Sequence, residues 1–136
     1  MTTTPARLGE WLEARETEHL EFKEARNGFN FDDVKRYVAA LANEGGGHLV
    51  LGVTRAMPRV ACGSQAFGDL NDLKHRLYQV FRRRIDVEAL DVEGKRVVVI
   101  SAPARPRGEA LQVDGAYLMR AGESLVPMTG DQLRRI

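Results

Sequence analysis

Three consecutive glycines, Gly45, Gly46 and Gly47, stand between a run with helical periodicity and a run that is apolar almost throughout. That junction restricts the fold more than any other stretch of the chain. Before it, Phe31, Val34, Val38, Leu41 and Ala42 recur at the three-to-four-residue spacing of a buried helix stripe, with Asn30 or Asp32 placed to cap the first free N–H groups. The spacing predicts a helix from there to about Asn43. After the glycines, His48 to Val53 is apolar enough for a strand in the middle of a sheet. One glycine can supply the left-handed residue that ends a helix, and the others permit a tight turn into the strand. Successive N–H groups in such a turn can also hold an anion. No Gly-Lys-Ser/Thr follows, so the stretch is not a P-loop and no nucleotide cofactor is expected.

A second stretch is tied to the first. In Glu16-Thr-Glu-His-Leu-Glu21-Phe22-Lys23, Leu20 and Phe22 alternate with His19, Glu21 and Lys23, the two-residue period of a strand. Glu21 and Lys23 then share the face opposite Leu20 and Phe22. On residue types alone this face reads either as solvated or as a place where carboxylates hold a metal and a lysine meets phosphate.

The remaining elements follow in order. Leu8 to Arg15 reads as a short helix with Leu8, Trp11 and Leu12 on one face, and His19 to Ala25 as the first strand. Residues 54–67 read as a loop, and Gly68 to Arg84 as the longest helix, with Leu70, Leu73, Leu77, Val80 and Phe81 as its stripe. It closes on Arg82-Arg83-Arg84, cations that suit a helix C-terminus. Val87–Val92 and Lys95–Ala102 form a hairpin across Glu93-Gly94, and Ala110–Val113 and Ala116–Arg120 form another across Asp114-Gly115. Ala121 to Pro127 reads as a loop, and Thr129 caps a final helix from Gly130 to Arg135. The expected fold is α/β (α+β): one mixed sheet of about five to six strands with packed helices, forming a single lobe over residues 1–136. The chain stops just after a short helix, as a lobe cut from a longer protein would.

Composition enters as a limit on partners. With 20 Lys and Arg against 19 Asp and Glu, the net charge is +1, so any polyanion site must be a local patch. Arginine dominates the cations, and its planar fork suits phosphate. A single cysteine, Cys62, permits no internal disulfide, and His19, His48 and His75 have no metal-ligand spacing. No apolar run reaches the ~18 residues of a membrane span, and the N-terminus has no apolar signal core. No membrane partner and a cytoplasmic location are expected.

The order of parts resembles one family, the Schlafen family with its bacterial relatives carrying the Schlafen-type Alba-like domain. Glu16-x4-Glu21-Phe22-Lys23 is similar to its first box, Ala39 to Val53 to its second, and Tyr117-Leu-Met-Arg120-Ala-Gly122-Glu-Ser124 to its third. The resemblance covers about residues 10 to 136. In the family members that cleave RNA, two glutamates of the first box and an aspartate after the Gly-Val of the second bind divalent metal beside the lysine. Carried over, this makes Glu16, Glu21 and Lys23 candidate catalytic residues, and Glu16 and Glu21 candidate ligands of Mg2+ or Mn2+. The aspartate is missing: Gly52-Val53 is followed by Thr54-Arg55. Two-lobed relatives form a basic horseshoe, which implies that one lobe pairs into a homodimer. Candidate contacts to RNA or DNA are Lys23, Lys35, Arg36, Arg55, Arg82, Arg83, Arg84, Arg105 and Arg120. The leading reading is a module that grips nucleic acid backbone through a basic groove. A metal-dependent endonuclease and a ligand-free oligomerisation or regulatory lobe are its rivals.

Overall fold

The computed structural model describes residues 3–13, 19–121 and 124–136. Its elements are α1 (Pro5–Glu13), β1 (Leu20–Lys23), α2 (Phe31–Asn43), β2 (Gly47–Leu51), α3 (Leu70–Phe81), β3 (Asp86–Val92), β4 (Lys95–Ala102), β5 (Gln112–Val113), β6 (Ala116–Ala121), β7 (Ser124–Pro127) and α4 (Gly130–Arg134). The class is α/β as expected, but the strands form two sheets rather than one: a mixed sheet in the order β1-β2-β4-β3 and a small antiparallel sheet β5-β6-β7. Only the β1–β2 pair of the large sheet is parallel.

Helix α2 forms where its pattern places it. Asn30 is the cap, its side chain accepting from the Asp32 N–H, and Val34, Val38, Leu41 and Ala42 are fully buried. Helix α1 begins three residues before the predicted start, because Thr4 supplies a cap to the Arg7 N–H (3.1 Å) and Pro5 suits the first helical turn. Its predicted end at Arg15 lies outside the described residues.

Strand alternation sorts the large sheet into two faces. Leu20, Phe22, Val50, Val97 and Val99 meet Leu8 of α1 on one side. Leu49, Leu51, Val98 and Ile100 meet α2, α3 and the small sheet on the other. Each face therefore has its own apolar cluster, and the sheet is covered on both sides.

The glycine junction is sterically required. Gly45 and Gly46 have φ of +101° and +98°, a region that side chains disfavour. A Cβ on Gly47 would stand 2.7 Å from the carbonyl carbon of His19, closer than real atoms approach. The turn thus lets β2 start flush against the chain entering β1.

Other boundaries also differ from the sequence reading. Helix α3 stops at Phe81 because Arg82 turns into the left-handed region (φ +56°), its N–H still reaching the Tyr78 carbonyl at 2.7 Å. Strand β1 ends at Lys23 rather than Ala25, since Ala25 also takes a positive φ of 44°. The segment read as a loop over Ala121–Pro127 contains β7, which pairs with β6 from Leu118↔Pro127 to Ala121↔Ser124. In the 54–67 loop, Arg96 donates to the carbonyls of Ser64, Ala66 and Phe67 at 2.7–3.2 Å and pins its second half against β4.

Candidate nucleic-acid interface

The boxes that carried the resemblance meet in space, but not as an open carboxylate pocket. Glu21 and Lys23 do lie on the face opposite Leu20 and Phe22, as the alternation predicts. That face is covered by α2 and β6, so Glu21 is fully buried. Its carboxylate accepts from the guanidinium of Arg120 on β6, also buried, and lies 3.3 Å from Lys23 Nζ. The second carboxylate oxygen makes no well-angled hydrogen bond. That oxygen faces Lys23 Nζ as a charge pair, which tolerates poor angles. Lys23 also sits 5.1 Å from the centre of the Tyr37 ring. Burial disfavours its charge, but Tyr37 and Glu21 outweigh that cost and raise its pKa above the ordinary lysine value.

The sequence reading of Arg120 as a phosphate contact is corrected by this burial: its charge is spent inside the protein. The candidate metal site fares similarly. Glu16 lies outside the described residues, and no group of three or more His, Cys, Asp or Glu converges among the described residues. A divalent ion at Glu21 would have to displace Arg120 and sit beside Lys23. The described residues do not fit such an ion, because two cations already occupy the surroundings of the carboxylate.

Asn43, from the second box, has a related role that the sequence did not announce. Its side chain donates to the carbonyls of Leu111 (3.1 Å) and Leu118 (2.8 Å) and accepts from the Leu111 N–H (2.8 Å). Asn43 fastens the small sheet and the chain entering it to α2, and the Glu21–Arg120 pair fastens the small sheet to β1.

The candidate cations separate into two groups along the sheet. Lys23 and Arg55 lie where β1 and β2 end, and Lys35 and Arg36 lie on the early turns of α2. Lys35 is held by Asp32 (3.0 Å) and Asp114 (3.7 Å), and Arg36 by Asp33 (2.9 Å). At the other end, roughly 15 Å away along β2, stand Arg82, Arg83, Arg84 and Arg105. They therefore do not form one groove with the first group.

This second end is the more open to a partner. Arg82, Arg84 and Arg107 are exposed, and Arg105 is half-buried. Because α3 stops at Phe81, Arg83 and Arg84 lie in the turn into β3 instead of fanning around a helix; Arg83 Nε donates to the Phe81 carbonyl at 3.3 Å. Two acidic neighbours oppose them: Asp86, 3.1 Å from Arg84, and Glu109, 3.7 Å from Arg83. Exposed pairs of this kind contribute ~0–1 kcal/mol, so a phosphate can compete for both arginines.

Two adjoining clefts open here, sharing Gly45 and Ala104. The first, about 330 Å³, includes Arg7, His48, Arg84 and Ser101 in its lining, and the second, about 490 Å³, includes Arg105 and Arg107. Arg7 and Arg107 are not among the contacts expected from the sequence, although Arg107 shares an arginine-bearing loop with Arg105; the meeting of α1 with the β4–β5 loop brings Arg7 here. Three N–H groups of this turn are already taken and cannot cradle an anion. Those of Gly45, Gly46 and His48 are bound to the carbonyls of Ala42, Leu41 and His19 at 2.7–3.1 Å.

His48 itself carries a pH signature. Its Nδ1 lies 2.9 Å from Ser101 Oγ and its ring stacks on Trp11 at 4.3 Å. Burial and then the charge of Arg7 lower its pKa from the ordinary 6.5. As pH falls below about 6.5 the unfolded chain takes up this proton first, so the stability His48 contributes is full above that value and is lost as pH drops through the folded pKa. Urea midpoints should therefore fall between about pH 7.5 and about pH 5.5, and His48→Gln should flatten that fall. An unchanged pH slope in the variant would show that His48 contributes nothing to it.

The lobe defined by these parts is an Alba-like α/β unit with an arginine-rimmed end. Residues 16–129 match the family described as Schlafen, AlbA_2, and the chain belongs to that family. No curated protein matches it. Among the solved structures that share the fold are two. One is the DIP2311 protein of Corynebacterium diphtheriae (TM-score 0.70, 24% identity), aligned over 90% of this chain and 29% of that one. The other is the N-terminal domain of a RecG-related protein of Nitrosomonas europaea (TM-score 0.61, 20% identity), aligned over 86% of this chain and 85% of that domain. The chain thus spans under a third of the DIP2311 protein. Among the described residues no helix is long and apolar enough to cross a membrane.

Proposed function

We propose that this chain is a nucleic-acid-binding lobe that grips the phosphate backbone of RNA or DNA with the arginines at the Gly45–Gly47 end of its sheet. The observation that carries the reading is the convergence there of Arg7 from α1, Arg82–Arg84 from the α3–β3 turn, and Arg105 and Arg107 from the β4–β5 loop. The family, described as AlbA-like, supports the same class of partner. These arginines reach a polyanion without disturbing the core, whereas Glu21, Lys23 and Arg120 cannot leave theirs cheaply. Sequence readout is expected to be weak, because forked contacts to phosphate carry no base information.

Binding should follow counterion release. Neutralising about five phosphates gives a log–log salt slope near −3.5 to −4.5, at roughly −0.7 to −0.9 per contact. Electrophoretic mobility shifts of transfer RNA and duplex DNA across a salt series measure it, and a slope near zero would remove the arginine rim from the account. Adding manganese separates this reading from a metal-dependent nuclease, for which cleavage must appear and must be lost in Glu21→Gln.

A symmetric pair of lobes would set two such rims along one concave surface, the single-chain counterpart of the two-lobed horseshoe. Sedimentation at micromolar concentration should then report about twice the chain mass of 15.2 kDa. A monomer that binds with the full slope would dismiss the pairing and keep the rim.

A further inference from the structure

The α1 face of the large sheet changes character within one register row. Phe22, Val50, Val97 and Val99 on that face have no exposure. One row nearer the glycine turn, the cross-strand partners are Leu20, His48, Ser101 and Asp86. Two adjacent strands, β2 and β4, thus turn polar where continued apolar packing under α1 would be the simpler arrangement, beside an edge strand β3 that carries Glu88 and Asp86 in both rows. Partly burying them costs free energy unless their hydrogen bonding is used.

The 330 Å³ cleft lies over this row. The start of α1 forms one wall, tied down by the Thr3 N–H, which donates to both carboxylate oxygens of Glu88 at 3.0 and 3.1 Å. On the floor, the His48 ring is fixed at its edge by Ser101 and on its face by Trp11. Among the described residues its Nε2 makes no hydrogen bond. Arg7 of α1 and Arg84 of the α3–β3 turn line the cleft, with Asp86 beside Arg84 at 3.1 Å as a surface partner that a phosphate must displace.

From this geometry we infer that the cleft holds one phosphate-bearing nucleotide unit, its phosphate between Arg7 and Arg84 and its sugar or base against Ser101 and His48. The volume is near the lower end of the ~300–1,000 Å³ range of small-ligand sites, so it admits one nucleotide and excludes a base pair. The choice of a nucleotide over another small phosphate rests on the backbone-binding reading above, since the cleft opens onto the same arginine rim. Two sources share this chemistry: the phosphorylated end of a bound strand, and a free mononucleotide.

Trp11 is the only tryptophan in the chain and stacks on His48 in the floor, so its emission reports on the cleft. Emission and calorimetry would be titrated with AMP, GMP, CMP and UMP, with inorganic phosphate, and with short single strands bearing a 5′-phosphate or a 5′-hydroxyl. Saturable binding of at least one nucleotide is expected, weakened about tenfold or more in Arg7→Ala/Arg84→Ala, as loss of charged hydrogen bonds implies. Lys74→Ala, an exposed position in the early part of α3, serves as the folded control, and circular dichroism checks each variant. A phosphorylated strand binding more tightly than its hydroxyl twin and than the mononucleotide identifies a strand end; no such gain identifies a free nucleotide. The inference fails if no nucleotide or phosphorylated strand binds, or if inorganic phosphate alone gives the same affinity. Loss of duplex binding with nucleotide binding intact would sink the backbone reading instead, so the two failures are distinct.

Discussion

Arg120→Met should cost about 3–5 kcal/mol of folding stability, because it leaves the Glu21 carboxylate buried with, among the described residues, Lys23 as its remaining cation. For a domain whose whole stability is about 5–15 kcal/mol, that is close to unfolding. The companion change sharpens the expectation. Glu21→Met together with Arg120→Met removes both charges, keeps similar volume, and should recover most of the loss, since apolar replacements of buried pairs are often neutral or better. Urea denaturation of the single and double variants measures this directly. If Arg120→Met is nearly silent, the pair does not fasten β6 to β1. The same variants bear on the metal reading. Glu21→Gln should leave nucleic acid affinity of the folded fraction equal or better, because no carboxylate that serves binding has been lost.

The second large effect concerns binding. Changing Arg82, Arg83 and Arg84 together to Glu should weaken binding to all sequences alike and reduce the salt slope by about 0.7–0.9 for each cation removed, leaving roughly −1 to −2. Stability should fall only modestly: the reversed charges face Asp86 and Glu109 at the surface, and the Arg83 bond to the Phe81 carbonyl is lost. An unaffected affinity would mean that the polyanion approaches elsewhere, with the Lys35–Arg36 end as the first alternative.

What the sequence made legible was local. Asn30 and the stripe of α2, the glycine junction, and the turns at Glu93-Gly94 and Asp114-Gly115 are set by neighbours a few residues away, and in both turns each residue takes a positive φ. Alternation also placed Glu21 opposite Phe22 correctly. It could not say that this face is covered, because the covering residue, Arg120, is 99 positions later. Similar separations, 68 and 75 positions, hid the role of Asn43, whose partners Leu111 and Leu118 lie just before β5 and on β6. The end of α3 was misread because a left-handed arginine has no sequence signal of the kind a glycine gives. Strand β7 was missed because four residues ending in Pro127, paired on one side only, resemble a loop.

For the candidate interface, residue type was legible and grouping was not. Arg82–Arg84 and Arg105 are obvious cations, but Lys35, Arg36 and Arg55 look equally suitable until strand register puts them at the far end. Arg7 becomes a partner of Arg84 only through the packing of α1.

The central claim is that the arginine-rimmed end, and not the Glu21–Lys23 face, meets the nucleic acid. Amide and arginine Nε resonances of the labelled protein, followed by NMR as a short RNA or DNA duplex is added, test it most directly. The account predicts shifts concentrated in residues 45–48, 82–86 and 103–107, fading as salt is raised. Shifts centred on residues 21–23 and 31–37, with the arginine end unmoved, would contradict it.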